Sequence, residues 1–126
     1  MLLDTEFLIA AGGDRGRARR NAARVFLAAR RATPFFISRV SWAEFAEGRE
    51  HQTEVERDLA LYTVLEVDEM VAWSASRLAR ALKGAGLHIG DNDLWIAATA
   101  LNFGLPLVSN NKKHFTRVPG LVLSGY

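Results

Sequence analysis

Hydrophobic positions change their spacing several times along the chain, and each change marks an element. The opening Met-Leu-Leu run is short, apolar and closed by Asp4, as expected of a buried strand. Residues 5–10 then read as a brief helix halted by Gly12 and Gly13. Residues 17–32 form an arginine- and alanine-rich helix whose apolar stripe is Ala22, Val25, Phe26 and Ala29. Pro34 ends it, and Phe-Phe-Ile-Ser (35–38) is a second strand. Ser41 followed by Glu44 fits a capping box, opening a helix that runs to about Gly48. A more polar helix lies near 52–62, and Thr-Val-Leu-Glu-Val (63–67) is a third strand. Residues 69–83 make a long helix with Val71, Ala75, Leu78 and Leu82 on one side, closed by Gly-Ala-Gly. Residues 89–104 are helical and apolar over most of their length, ended by Gly104 and Pro106. Residues 105–109 form a fourth strand and 121–124 a possible fifth.

Strands alternating with helices predict an α/β fold: a three-layer α/β/α sandwich around a central, mostly parallel sheet of four to five strands. No internal repeat, linker or low-complexity tract divides the chain, so one domain over 1–126 is expected. Nearly half the residues are apolar, enough to bury a core without staples. The lack of cysteine fits a reducing compartment, and neither a signal peptide nor a membrane-spanning run is read from the sequence. A cytoplasmic location follows as an expectation. The net charge is only +2, yet seven arginines (Arg15, Arg17, Arg19, Arg20, Arg24, Arg30, Arg31) crowd the stretch after Asp14. Such a block is ordinarily a solvated helix face, although guanidinium forks also suit phosphates.

The candidate chemistry lies in carboxylates. The apolar helix at 89–104 opens with Asp91, Asn92 and Asp93, and no lysine or arginine within it offsets them. Ile96, Ala97 and Ala100 continue the Asp93 face at spacings of three, four and seven, so Asp93 is expected at the sheet's rim. Asp4 directly follows strand one, Glu44 lies early in the helix after strand two, and Ser109, Asn110 and Asn111 follow strand four. In open parallel sheets ligands bind beyond the carboxyl ends of the strands, so these groups are predicted to converge. Each has a local alternative. Glu44 completes a capping box, Asp91 or Asn92 caps a helix, Asp93 favours the helix dipole, and Asp4 starts a turn. Together, however, like charges about 4 Å apart repel by about 4 kcal/mol at an effective dielectric near 20. A divalent cation with a preference for oxygen ligands would supply the missing counter-charge; protonation would also relieve the repulsion.

Four segments in register, MLLDTEFLIA, VSWAEFAEG, GDNDLWIAATAL and LPLVSNNKKHFTRVPGL, resemble PIN-domain ribonucleases, in particular the VapC-type toxins of toxin–antitoxin pairs. The resemblance covers almost the whole chain. It implies a domain that cleaves RNA with Mg²⁺ or Mn²⁺ held by acids, leaving a 5′-phosphate and a 3′-hydroxyl. By position it assigns Asp4, Glu44 and Asp93 as catalytic and metal-binding, with Thr5, Ser109 and Asn111 in support. Asn111 stands where many members carry a fourth aspartate, which implies a single firmly held ion. Asp91 is either a substitute for that charge or a helix cap. Glu6 adds charge where asparagine or serine is common, and His114 takes a slot often held by an acid and receives no role. His51 and His88 lack ligand spacing, so zinc is not expected. Lys112, Lys113, Arg20 and Arg24 are candidates for backbone contacts with RNA. The resemblance further implies a VapB-like antitoxin partner, met by apolar groups such as Phe7, Leu8, Trp42 and Phe45 where they are not core, and a homodimer to which Val71 and Trp73 could contribute.

Two other readings compete. One is a catalytically weak or inactive module that binds a metal or a partner's basic side chain, to which Asn111 lends weight. The other is a receiver-like domain phosphorylated on Asp4, although no Asp-x-Asp accompanies that strand.

Overall fold

In the computed structural model, which describes residues 1–126, five short strands make an all-parallel sheet with the order β3-β2-β1-β4-β5. Along the chain the elements are β1 (Leu2–Leu3), α1 (Thr5–Gly12), α2 (Arg17–Ala28), β2 (Phe36–Ser38), α3 (Arg39–Glu47) and α4 (Gln52–Leu59). They continue with β3 (Thr63–Leu65), α5 (Glu69–Gly84), α6 (Asp91–Asn102), β4 (Leu107–Val108), α7 (Lys112–Phe115) and β5 (Leu123–Ser124). No helix is long and apolar enough to cross a membrane.

Side chains alternate across each strand, and that alternation builds the three layers. Leu3, Ile37 and Val108 point to one face, where Phe7, Leu8, Phe26, Phe45, Val55 and Leu59 from α1 to α4 complete a buried cluster. Leu2 and Leu107 point to the other face and pack with Leu78, Leu82, Ile96, Ala97 and Phe115 from α5, α6 and α7. A sheet covered on both sides requires strands that are apolar at successive positions, and Leu2-Leu3 and Leu107-Val108 are fully buried. The predicted stripe Val71, Ala75, Leu78 and Leu82 is the buried set of α5.

Three local expectations are corrected. In α2 the inward residues are Ala23 and Phe26, while Val25 is 69% exposed and Ala29 lies beyond the helix as its C-cap. Two adjacent apolar stripes with the same helical spacing were available, and docking against Phe7 selected the one containing Ala23. In α3 the cap is Ser38, whose hydroxyl accepts from the Ser41 backbone N–H at 2.9 Å. Ser41 is therefore in the first turn, and Glu44 is not part of a capping box. The third strand stops at Leu65, where Glu66 turns out to pair with Arg39.

The strand order has one functional consequence. From β1 the chain winds outward to β2 and β3, then returns to place β4 and β5 on the opposite side of β1. The reversal opens a crevice beyond the carboxyl ends of β1 and β4, the place where open α/β sheets bind ligands. Asp4 and Ser109 are the first residues past those two ends.

Candidate active site

Asp4 leaves β1 in extended conformation (φ −79°, ψ 169°) and caps α1, its Oδ1 accepting from the Phe7 N–H at 2.8 Å. On the other side, Oδ2 accepts a hydrogen bond from the Ser109 hydroxyl across the β1–β4 crevice. The Asp4 backbone N–H bonds to the Val108 carbonyl, which fixes this register. The residue is only 4% exposed, and burial pushes its carboxyl up from 3.8 to about 6 against the lowering effect of the Ser109 and Phe7 hydrogen bonds. The negative charges of Glu6 and Asp93 push it further in the same direction.

Two more carboxylates reach this place from distant elements. Glu44, in α3, is held at both oxygens: Thr5 Oγ1 donates to Oε1 at 2.6 Å and Asn92 Nδ2 donates to Oε2 at 3.1 Å. Asp93, in the first turn of α6, accepts at Oδ2 from Asn111 Nδ2 (3.3 Å) and lies 2.7 Å from His114 Nδ1. Asn111 is itself anchored, its backbone N–H donating to the Ser109 hydroxyl at 3.0 Å. Asp4, Thr5, Glu44, Asp93 and Asn111 line one hollow of about 340 Å³, together with Glu6, Ile9, Arg15 and Glu47. As they stand, no three Asp, Glu or His side chains are close enough to chelate an ion. Each carboxylate is instead drawn to its own donors.

The donor set nevertheless fits a hard divalent cation. Every acidic group in the hollow offers oxygen, the preference of Mg²⁺ and Mn²⁺, and no thiolate competes. Five carboxylates (Asp4, Glu6, Glu44, Glu47, Asp93) face one cation, Arg15, and that cation is already bound to Glu6 through two bonds of 3.0 and 3.2 Å. Burial is the main reason Asp4 is raised, and the excess negative charge adds to it.

The other residues singled out in the sequence fall in different places. Asp91 is exposed in the first turn of α6; Gly90 is the cap, so Asp91 is not. It lines a shallower neighbouring hollow with Glu44, Asn92 and Asp93, and does not enter the one containing Asp4. Ser109 is fully buried behind Asp4. Lys112 and Lys113 are exposed on α7. Arg20 lies against Gly13, and Arg24 lines an apolar hollow of about 320 Å³ with Leu8, Leu27, Phe45, Leu59 and Tyr62. Neither arginine lines the acidic hollow. Phe7, Leu8 and Phe45 are core, leaving Trp42 half-buried; on α5, Val71 is buried whereas Trp73 is 63% exposed.

Three residues of the site were not recognised from the sequence. Glu47 lies three residues after Glu44, on the same helical face, and that spacing was the available signal. Arg15 gave none, because its partner Glu6 sits across the turn that follows α1. His114 stood out only as taking a slot often held by an acid, and was given no role: its contact with Asp93 spans 21 residues and depends on how α7 folds back.

A family model described as PIN domain matches residues 1–121. The chain is 37% identical over 93 residues to Ribonuclease VapC1 of Methanocaldococcus jannaschii, covering 71% of this chain and 68% of that protein. It is 32% identical over 92 residues to the tRNA(fMet)-specific endonuclease VapC of Salmonella typhimurium, covering 68% and 70% respectively. Among solved structures, VapBC2 from Rickettsia felis bound to a DNA fragment from its promoter superposes with a TM-score of 0.79 at 26% identity, over 99% of this chain and 97% of that one.

Proposed function

The chain belongs to the PIN-domain family, and from that premise we propose that it is a Mg²⁺- or Mn²⁺-dependent endoribonuclease acting as the toxin of a type II toxin–antitoxin pair. The observation that carries the proposal is Asp4: a buried carboxyl with a raised pKa, at the sheet's switch point, sharing one hollow with Glu44 and Asp93.

Asp4, Glu44 and Asp93 would hold the ion. When bound, it supplies a water of lowered pKa and polarises the scissile phosphate. The chain's own residues then have distinct tasks. Thr5 and Asn92 fix both oxygens of Glu44. Ser109 and the Phe7 N–H orient Asp4, and Asn111 restrains Asp93. A carboxylate of this set accepts the proton of the attacking water as the water oxygen bonds to phosphorus. The P–O3′ bond breaks with its electron pair going to O3′, which takes a proton from solvent, leaving a 5′-phosphate and a 3′-hydroxyl. Lys112 and Lys113 contact the RNA backbone beside the hollow, which positions the strand without reading its sequence.

The antitoxin is a VapB-like protein, and the apolar hollow between α1, α2 and α4, lined by Leu8, Leu27 and Leu59, offers it surface outside the acidic site. Homodimerisation belongs to the same reading, with Met70 and Trp73 as the exposed apolar groups of α5. Light scattering that finds only monomer at high concentration removes that part.

The test is cleavage of RNA by the purified chain with Mg²⁺ or Mn²⁺, alongside Asp4→Asn and Asp93→Asn. Loss of cleavage in both variants and in excess EDTA is expected. Full activity in EDTA, or in either variant, refutes the proposal. A second reading, a module that binds metal or partner without chemistry, is favoured by Asn111 in place of a fourth acid; metal binding with no RNA cut would establish it.

A further inference from the structure

The imidazole of His114 has no place in the mechanism above, yet it makes the shortest hydrogen bond received by Asp93, at 2.7 Å. We propose that His114 is a positioning residue for Asp93. Its Nδ1–H clamps Oδ2, which leaves Oδ1, receiving no hydrogen bond from the protein, free to hold a cation. The inference rests on the reading of Asp93 as a metal ligand and assigns a residue that this reading leaves out.

The donor assignment follows from chemistry. An ionised carboxylate has no hydrogen to give, so Nδ1 carries the proton and donates it. Asn111 Nδ2 lies 3.4 Å from the same nitrogen, but both groups are then donors and both aim at Asp93 Oδ2. One oxygen of Asp93 is thus doubly restrained. The two donors reach it from a single turn, because Asn111 and His114 are three residues apart around α7.

His114 is itself held in place. The next residue, Phe115, is 2% exposed and packs among Ile96, Ala100 and Leu107, with Val118 buried in the same cluster. The Phe115 N–H bonds to the Asn111 carbonyl at 3.2 Å, closing the turn. With the backbone fixed by a core anchor one residue away, only the two χ angles of the partly exposed imidazole are ordered on bonding Asp93, and the contact can orient the carboxylate. Residues hydrogen-bonded to metal ligands commonly set ligand direction and affinity in this manner.

The experiment measures Mn²⁺ binding to the full chain without RNA, by titration calorimetry and by the paramagnetic resonance of free Mn²⁺. The wild type is compared with His114→Leu, which keeps the bulk and removes the donor, and His114→Asn, whose Nδ2 can stand where Nδ1 stood. His114→Leu is expected to weaken Mn²⁺ binding by about 10- to 100-fold. His114→Asn is expected to remain within about threefold of wild type by restoring the donor. Thermal melts of the metal-free proteins check that both fold. Equal Mn²⁺ affinity in wild type and His114→Leu overturns the inference while leaving the metal site standing. Equal losses in the Leu and Asn variants also overturn it, since the donor would then not be what matters. If the wild type fails to bind Mn²⁺, the reading of Asp93 as a ligand falls, and this inference with it.

Discussion

Replacing Asp4 by asparagine should make the metal-free protein more stable at neutral pH while abolishing its activity. The carboxyl titrates at about 6 in the fold against an ordinary value of 3.8, so between those values the folded state binds more protons than the unfolded one. Stability is therefore fully present below pH 4, falls as the pH rises through 6, and levels off above it. At about 1.4 kcal/mol per pH unit, the interval corresponds to about 3 kcal/mol lost on going from acid to neutral pH. Asparagine keeps the shape. Its Oδ1 can still accept from Phe7, while its Nδ2 meets the Ser109 oxygen, whose own hydrogen then lacks an acceptor at a cost of about 1 kcal/mol. The net gain expected at pH 7.5 is about 2 kcal/mol, or roughly 8 °C in Tm for a chain of this length. Thermal and urea melts of both proteins in EDTA, from pH 4 to 7.5, measure it. The curves should cross, with wild type the more stable by about 1 kcal/mol at pH 4 and the variant the more stable at pH 7.5, and Mg²⁺ should restore stability to the wild type alone. An Asp4→Asn variant no more stable than wild type at pH 7.5, or one with the same pH slope, would refute the assignment of strain to this carboxylate.

Three further outcomes are expected. Thr5→Val removes the 2.6 Å bond to Glu44 at nearly constant volume, and kcat/KM for RNA should fall about 10-fold with about 1 kcal/mol lost in a urea melt. Phe7→Ala empties a fully buried site where the ring meets Phe26 and Tyr126 edge-on, and should cost about 3–5 kcal/mol by denaturant titration. Lys112→Ala with Lys113→Ala should raise KM with little change in kcat, and flatten the slope of log KM against log salt by about 0.7 per lysine; an unchanged slope would take both lysines off the RNA path.

What the sequence determined by itself was local. The alternation of strand and helix, the buried stripe of α5 from Val71 to Leu82 and the strand-end position of Asp4 all follow from the spacing of apolar residues, because burial repeats with the period of the element. The same logic placed Asp93 at the start of an inward-facing helix. It failed where two choices had equal period, as in the stripe of α2, and where two serines three residues apart, Ser38 and Ser41, could each cap one helix. What only the tertiary structure decided are the pairings: Thr5 with Glu44 across 39 residues, Asp4 with Ser109 across 105, and His114 with Asp93. These depend on the strand order, which sets β1 between β2 and β4, and on the turn that brings α7 back over α6. Hydropathy carries no information about which strands become neighbours, so the partners of each carboxylate, and hence its charge state and direction, were fixed only when the sheet closed.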